Sequence, residues 1–253
     1  MSVKRKIALV ICIIVAIVSG SLAAYFALDK QNTKEVNKEV EKVAKKPKEE
    51  KVEAPAVEEK EEIPINFDEL KAINPDIYGW VNIAGTEIDY PILQSETDNN
   101  YYLRRNSAGE HSIPGCIFTE NYNKKDFTDF NTMVYGHYMT DNTMFGRLIS
   151  YRDQAFFDSH PEITIYLPDK KLTYEIFAAV QYDDRHIMES FDFNDPFGRL
   201  GYIESLKNAR SMSNVVKNDV EVNEDSHLIT LSTCVPEVET DRFLVVGVLK
   251  EDK

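Results

Sequence analysis

Thr230-Leu231-Ser232-Thr233-Cys234, followed eight residues later by Arg242-Phe243-Leu244-Val245-Val246-Gly247-Val248-Leu249, is the stretch that decides how this chain is read. His227 to Thr233 is rich in β-branched and aliphatic residues and reads as a strand. Arg242 to Leu249 is almost continuously apolar and reads as a second strand, buried on both faces. The seven residues between Cys234 and Arg242 hold Pro236 and three acids, which is loop chemistry. Paired as a hairpin, the strands would set Cys234 opposite Arg242 at the mouth, with Cβ atoms roughly 4.5–5.5 Å apart. A cation at that distance favours thiolate over thiol, and the thiolate is the nucleophile.

Upstream of this hairpin, short strand-like pieces follow one another with turn residues between them. They are Gly79 to Ile83, Thr86 to Leu93, Gly115 to Phe118, Thr132 to Tyr135, Glu162 to Leu167 and Leu172 to Gln181. With Ser226 to Thr233 and Arg242 to Leu249 they make eight, which predicts an antiparallel barrel or sandwich. Asn66-Phe67-Asp68-Glu69 carries a helix cap and an acid at the third helical position, and Asn74-Pro75 ends that segment. Short helices are expected over Met144 to Ser150 and Ala155 to Phe157. A longer one is expected over Pro196 to Ala209, with Asp195 as its cap and Phe197, Leu200 and Ile203 or Leu206 as its apolar stripe.

The first 64 residues are different material. Residues 7–28 are uncharged and mostly apolar, and a helix of that length just crosses a hydrocarbon core of roughly 30 Å. Lys4, Arg5 and Lys6 precede the run and Asp29 follows it, so residues 1–28 are expected to be a cytoplasmic basic tip and a retained signal anchor, with the rest of the chain outside. A cleavable signal peptide is the competing reading, but its apolar core would be shorter. Residues 29–63 hold eleven acids and nine lysines with no aromatic residue, and residues 29–64 are expected to be a disordered charged tether. Residues 65–253 form the one candidate globular domain.

From residue 64 onward, 17 Lys and Arg stand against 32 Asp and Glu, a balance of −15. Such a domain is not expected to bind nucleic acid, nor to lie on an anionic membrane by charge alone. Three cysteines, Cys12, Cys116 and Cys234, are too few for a disulfide framework, and Cys116 reads as a small core residue. A thiolate mechanism needs a proton carrier. Of five histidines, His137 in Tyr135-Gly136-His137 follows a strand end and a glycine, a place suited to the rim of a barrel. His111, His160 and His227 read as surface or packing residues, whereas His186, in a charged loop, is placed to touch substrate. No histidine or cysteine falls at metal-ligand spacing and no phosphate-binding glycine loop is present, so no metal and no cofactor is expected.

With TLSTC, the downstream Arg242 and the upstream Tyr135-Gly136-His137 in place, the chain resembles the sortases, membrane-anchored cysteine transpeptidases of Gram-positive bacteria. Asn74-Pro75-Asp76-Ile77-Tyr78-Gly79-Trp80, Ile88-Asp89-Tyr90-Pro91, Asp98-Asn99-Asn100-Tyr101-Tyr102-Leu103 and Met144-Phe145 are similar to class B sortases in particular, as is the helix around 196–209. The resemblance implies a mainly β fold: an eight-stranded sortase-type barrel with an N-terminal helical extension and a helix inserted before the catalytic strand. It implies cleavage of a C-terminal sorting signal of secreted proteins after Thr, then transfer of the acyl group to an amine of a lipid II-type peptidoglycan precursor. Cys234 would be the nucleophile, His137 the general acid and base, and Arg242 the oxyanion and substrate clamp. Val235 would offer a backbone N–H, and Ser232, Thr233, Asn99, Leu103 and Ile187 would shape the peptide groove. The chain shows no C-terminal apolar anchor, which fits the enzyme rather than its substrate. A secreted, membrane-anchored cysteine protease, a pilin-polymerising sortase and a tethered binding module are the alternatives.

Overall fold

The computed structural model describes residues 3–46 and 63–250. Strand period decides its architecture. In β8 (Leu228–Val235) and β9 (Val238–Leu249), Ile229, Leu231, Phe243 and Val245 point into one core while Leu228, Leu244 and Val246 point into another. Successive side chains in a strand face opposite ways, so a strand apolar at every position must be covered on both sides. The inner cover is the barrel itself. The outer cover is α5 (Pro196–Lys207), whose Tyr202, Ile203 and Leu206 are buried against Phe177, Val180, Leu244 and Val246. The stripe expected on this helix is corrected: Phe197 is 82% exposed, and the buried face begins at Tyr202.

The remaining strands are β1 (Ile77–Asn82), β2 (Asp89–Leu93), β3 (Ile117–Phe118), β4 (Asn131–Tyr135), β5 (Glu162–Tyr166), β6 (Lys171–Asp183) and β7 (Val215–Val216). Their order is β5-β1-β2-β3-β4-β8-β9-β6-β7, and β5 also pairs with β6, which closes an eight-stranded barrel and leaves β7 on its outside. Closure removes the two free edges that an open sheet would present. The eight expected strands are all found, and β7 is the addition. The pairing is mixed: β2 with β3 and β4 with β8 run parallel, the others antiparallel.

Among the helices, α2 (Phe67–Ile73) starts as expected, with the Asn66 side chain accepting from the Glu69 N–H. The helix expected from Met144 is a 3₁₀ segment, Gly146–Arg152, followed by α3 (Gln154–Ser159). A 3₁₀ turn at Tyr101–Arg104 and the short α4 (Ile187–Ser190) were not expected.

The N-terminal region brings the largest correction. α1 runs unbroken from Val3 to Ala44, so residues 29–44 of the expected disordered tether are helical and docked. Val40 and Ala44 are buried beside Phe67, Leu70 and Trp80. Burying a valine contributes roughly 1.5 kcal/mol or more, enough to bias a lysine- and glutamate-rich helix onto the barrel. The rest of the expected tether, residues 47–62, lies outside the described residues.

Candidate active site

His137, Cys234 and Arg242 meet because of strand register. In the parallel pair, Tyr135 stands beside Ser232 and the Gly136 N–H donates to the Ser232 carbonyl at 3.1 Å. His137 follows two residues after the end of β4 and lines the same cleft as Cys234. In the antiparallel pair, Cys234 is the direct partner of Arg242. The expected hairpin mouth is therefore present, although the ladder continues past it: β8 runs to Val235 and β9 starts at Val238 after a register shift. What was expected as a seven-residue loop is largely strand.

Period 2 also decides what faces the site. Met133, Tyr135 and His137 alternate with interior Val134; Ser232 and Cys234 alternate with Leu231; Arg242 and Leu244 alternate with Phe243. All these outward residues line one cleft of about 250 Å³ on the outer wall of the barrel. Leu103 and Ile187, expected groove residues, line it too. Thr233 borders the cleft between Ser232 and Cys234, but its side chain alternates inward with its ladder partner Phe243 and is only 2% exposed. The Val235 side chain belongs to the interior core, so only its backbone can face a substrate. Asn99 is not on the lining; its carboxamide oxygen accepts from the Asn121 N–H at 2.8 Å, and its neighbour Asn100 takes the place beside the cleft.

Each polar group is held. The His137 Nε2 contacts the Leu103 carbonyl at 2.9 Å, which orients the ring. Burial pushes the His137 pKa down, the bond to Leu103 opposes this, and the charge of Arg104 lowers it further. The Arg242 Nη1 donates to the carbonyls of Glu239 and Asp241 at 3.1 and 3.0 Å, holding the guanidinium against its own strand. Gly136 is required by close approach: a Cβ there would lie 2.5 Å from Ile117 Cδ1 and 2.6 Å from Phe145 Cδ2. The other thiols are not candidates. Cys116 is free, buried, and pushed up to about 12 by burial, with the Ser107 hydroxyl opposing. Cys12 lies in the apolar run of α1.

The far wall was not read from sequence. Glu120 accepts from the Tyr135 hydroxyl at 3.2 Å and pairs with His186 Nε2 at 2.9 Å, so the His186 expected near substrate does lie on the lining. Glu120 gave no signal beyond following a strand; it reaches Tyr135 because β3 pairs with β4, Phe118 standing opposite Tyr135. His111 pairs with Asp29, and His160 and His227 contact the carbonyls of Phe156 and Asp129, as surface and packing residues should. No group of three His, Cys, Asp or Glu side chains suited to a metal occurs among the described residues.

A closed mixed barrel with a thiol, an imidazole and a guanidinium lining one cleft defines a class, the barrel-type cysteine transpeptidases. The Sortase domain family model matches residues 81–250, and the chain belongs to the sortase family. It is 36% identical over 189 residues to Sortase B of Listeria monocytogenes, covering 72% of both chains. Its structure is similar to that of sortase B from B. anthracis in complex with AAEK1, with a TM-score of 0.73, 28% identity, and coverage of 89% of this chain and 99% of that one. It is also similar to a Staphylococcus aureus sortase B–substrate complex, with a TM-score of 0.65, 32% identity, and coverage of 74% and 85%. These relatives are class B sortases, and the chain is a cysteine transpeptidase of that family.

Proposed function

We propose that Cys234 is the nucleophile of this transpeptidase, with His137 and Arg242 as its partners. The observation that carries the reading is that all three line a single cleft, with Cys234 and Arg242 as direct ladder partners. The Cys234 thiol passes its proton to His137 as its sulfur attacks the carbonyl carbon of the threonine in a sorting signal. Arg242, with the backbone N–H of Val235, bears the developing oxyanion. His137 gives its proton to the departing amine, leaving a thioester on Cys234. The amine of a lipid II-type precursor then attacks that thioester, His137 takes the proton back, and the thiolate leaves. Leu103, Ile187 and Ser232 contact the bound peptide, and the cleft keeps water from the acyl carrier.

The apolar part of α1 supports placement at the cell membrane. Ile11, Ile14, Ile17, Leu22 and Leu28 stand about half exposed or more, as lipid-facing side chains would. The helix is long and apolar enough to cross a bilayer. The basic residues before it favour a cytoplasmic N-terminus and an external catalytic domain. A pilin-polymerising role is not favoured, and the protease alternative is distinguished by its acceptor.

The test is mass spectrometry of the protein after incubation with candidate sorting peptides, with and without an amine. A thioacyl adduct on Cys234 that an amine converts to a transpeptidation product is expected. Product identity that ignores the amine would mean a protease, and unchanged function in Cys234→Ala would mean a binding module.

A further inference from the structure

The charged segment after the apolar run does not behave as a spacer. Asp29, the first charge after that run, already touches the barrel: its Oδ2 accepts from the Ile113 N–H at 2.8 Å. Four residues on, the buried Thr33 hydroxyl meets the Ser112 hydroxyl at 2.7 Å. Lys30 and Lys34 both pair with Asp141, at 3.0 and 2.7 Å. Docking then continues up the helix through Val40, Ala44 and the Lys45–Asp89 pair at 2.8 Å. The helix has no break between Leu28 and Asp29, so apolar and docked halves form one rod. At the far end the Asn66 N–H donates to the Ala44 carbonyl at 2.8 Å, so the chain re-enters the barrel beside the point where α1 ends. The barrel is therefore joined to the apolar run through α1 itself.

The segments touched by the first turns of the docked half are those that hold the site. The Ser112 N–H donates to the Arg104 carbonyl, and Arg105 bridges to His111. Leu103, one residue before Arg104, receives His137. Asp141 is four residues from His137. The opposite strand ends, with exposed Asn223 ahead of β8, lie beyond the end of the ladder away from Cys234.

We propose that α1 is a rigid strut that seats the barrel directly on the membrane surface, with the rim carrying His137 and Leu103 turned toward the lipid. This rests on the reading of the apolar run as a membrane span. A helix ordered on both sides of Asp29 leaves no slack, so the Ile113 and Asp141 loops lie within about one turn, roughly 5 Å along the axis, of the end of the apolar run. The partner surface is lipid headgroup, met by the exposed Arg104 at that rim. An amine carried by a membrane-linked acceptor then reaches the thioester without leaving the bilayer surface.

The test uses the full chain reconstituted in phosphatidylcholine–phosphatidylglycerol vesicles carrying a nitroxide-headgroup lipid. A fluorescent amino acid is placed at Arg104, His111 or Asn223 in turn. Several-fold stronger quenching at Arg104 and His111 than at Asn223 is expected. A flexible Gly/Ser insertion between Leu28 and Asp29 should abolish the difference, while the same insertion after Lys46 should preserve it. Thioacyl formation with a soluble peptide reports that each variant is folded and leaves the transpeptidase reading separately tested. Equal quenching at all three positions, or an insertion after Leu28 without effect, overturns the strut. Failure of the vesicles to retain the chain removes the span and the strut together.

Discussion

Two thiols in one barrel occupy opposite environments. Cys234 lies one residue before the end of β8 on the outward face, exposed, with Arg242 as its ladder partner and a cleft in front of it. Cys116 sits just ahead of β3, 3% exposed, packed with Trp80, Leu93 and Tyr102, with only the Ser107 hydroxyl for polar company. Burial pushes the Cys116 pKa to about 12, so at neutral pH it stays protonated and poorly nucleophilic. The difference teaches that the chemistry of a cysteine in this fold comes from the face of the strand it occupies and from what its neighbours leave open.

The most direct way to break that contrast is to remove each thiol. Cys234→Ala should lower transpeptidation by about 10⁴-fold or more, because nothing else can carry the acyl group. Cys116→Ala should leave kcat/KM near wild type and cost about 1 kcal/mol in urea unfolding. A large activity loss in the second variant would undo the assignment.

Next in size are the partners of Cys234. His137→Asn should cost about 10²–10⁴-fold in kcat, the usual worth of a positioned acid and base. Arg242→Lys keeps the charge but loses the fork, and a fall of about 10²-fold in kcat with a smaller change in KM is expected. Full activity in that variant would show that charge alone suffices.

Gly136→Ala sharpens the comparison at the level of packing. Its Cβ would collide with Ile117 and Phe145 inside the barrel. A loss of about 1–3 kcal/mol in stability is expected from overpacking, with displacement of His137 seen as a lower kcat.

The smallest effect is a pH dependence of stability. Burial lowers the His137 pKa below its unfolded value, so the unfolded chain binds the extra proton first. Stability should therefore fall as pH drops below about 6.5, and the loss should be complete once the folded pKa is passed. His137→Asn should flatten that part of the profile in urea titrations, and an unchanged slope would assign it to other groups.

Much of this was legible because strand alternation is local. The eight barrel strands, the Asn66 cap and the pairing of Cys234 with Arg242 follow from period 2, turn residues and loop length. α5 was legible in extent but not in phase: at 3.6 residues per turn Phe197 lies on the face opposite Tyr202, Ile203 and Leu206, and it is exposed. The docking of residues 29–44 left a faint trace, Val36, Val40 and Val43 at three- and four-residue spacing, within a composition that otherwise reads as solvated.

By itself the sequence determined which residues alternate outward, and so which thiol, imidazole and guanidinium share a face. Tertiary structure alone decided the order in which strands closed, the meeting of Glu120 with His186 and the seating of α1. The physical reason is range. Periodicity is written into neighbouring residues, whereas the partners across a closed barrel are chosen by the packing of segments far apart in the chain.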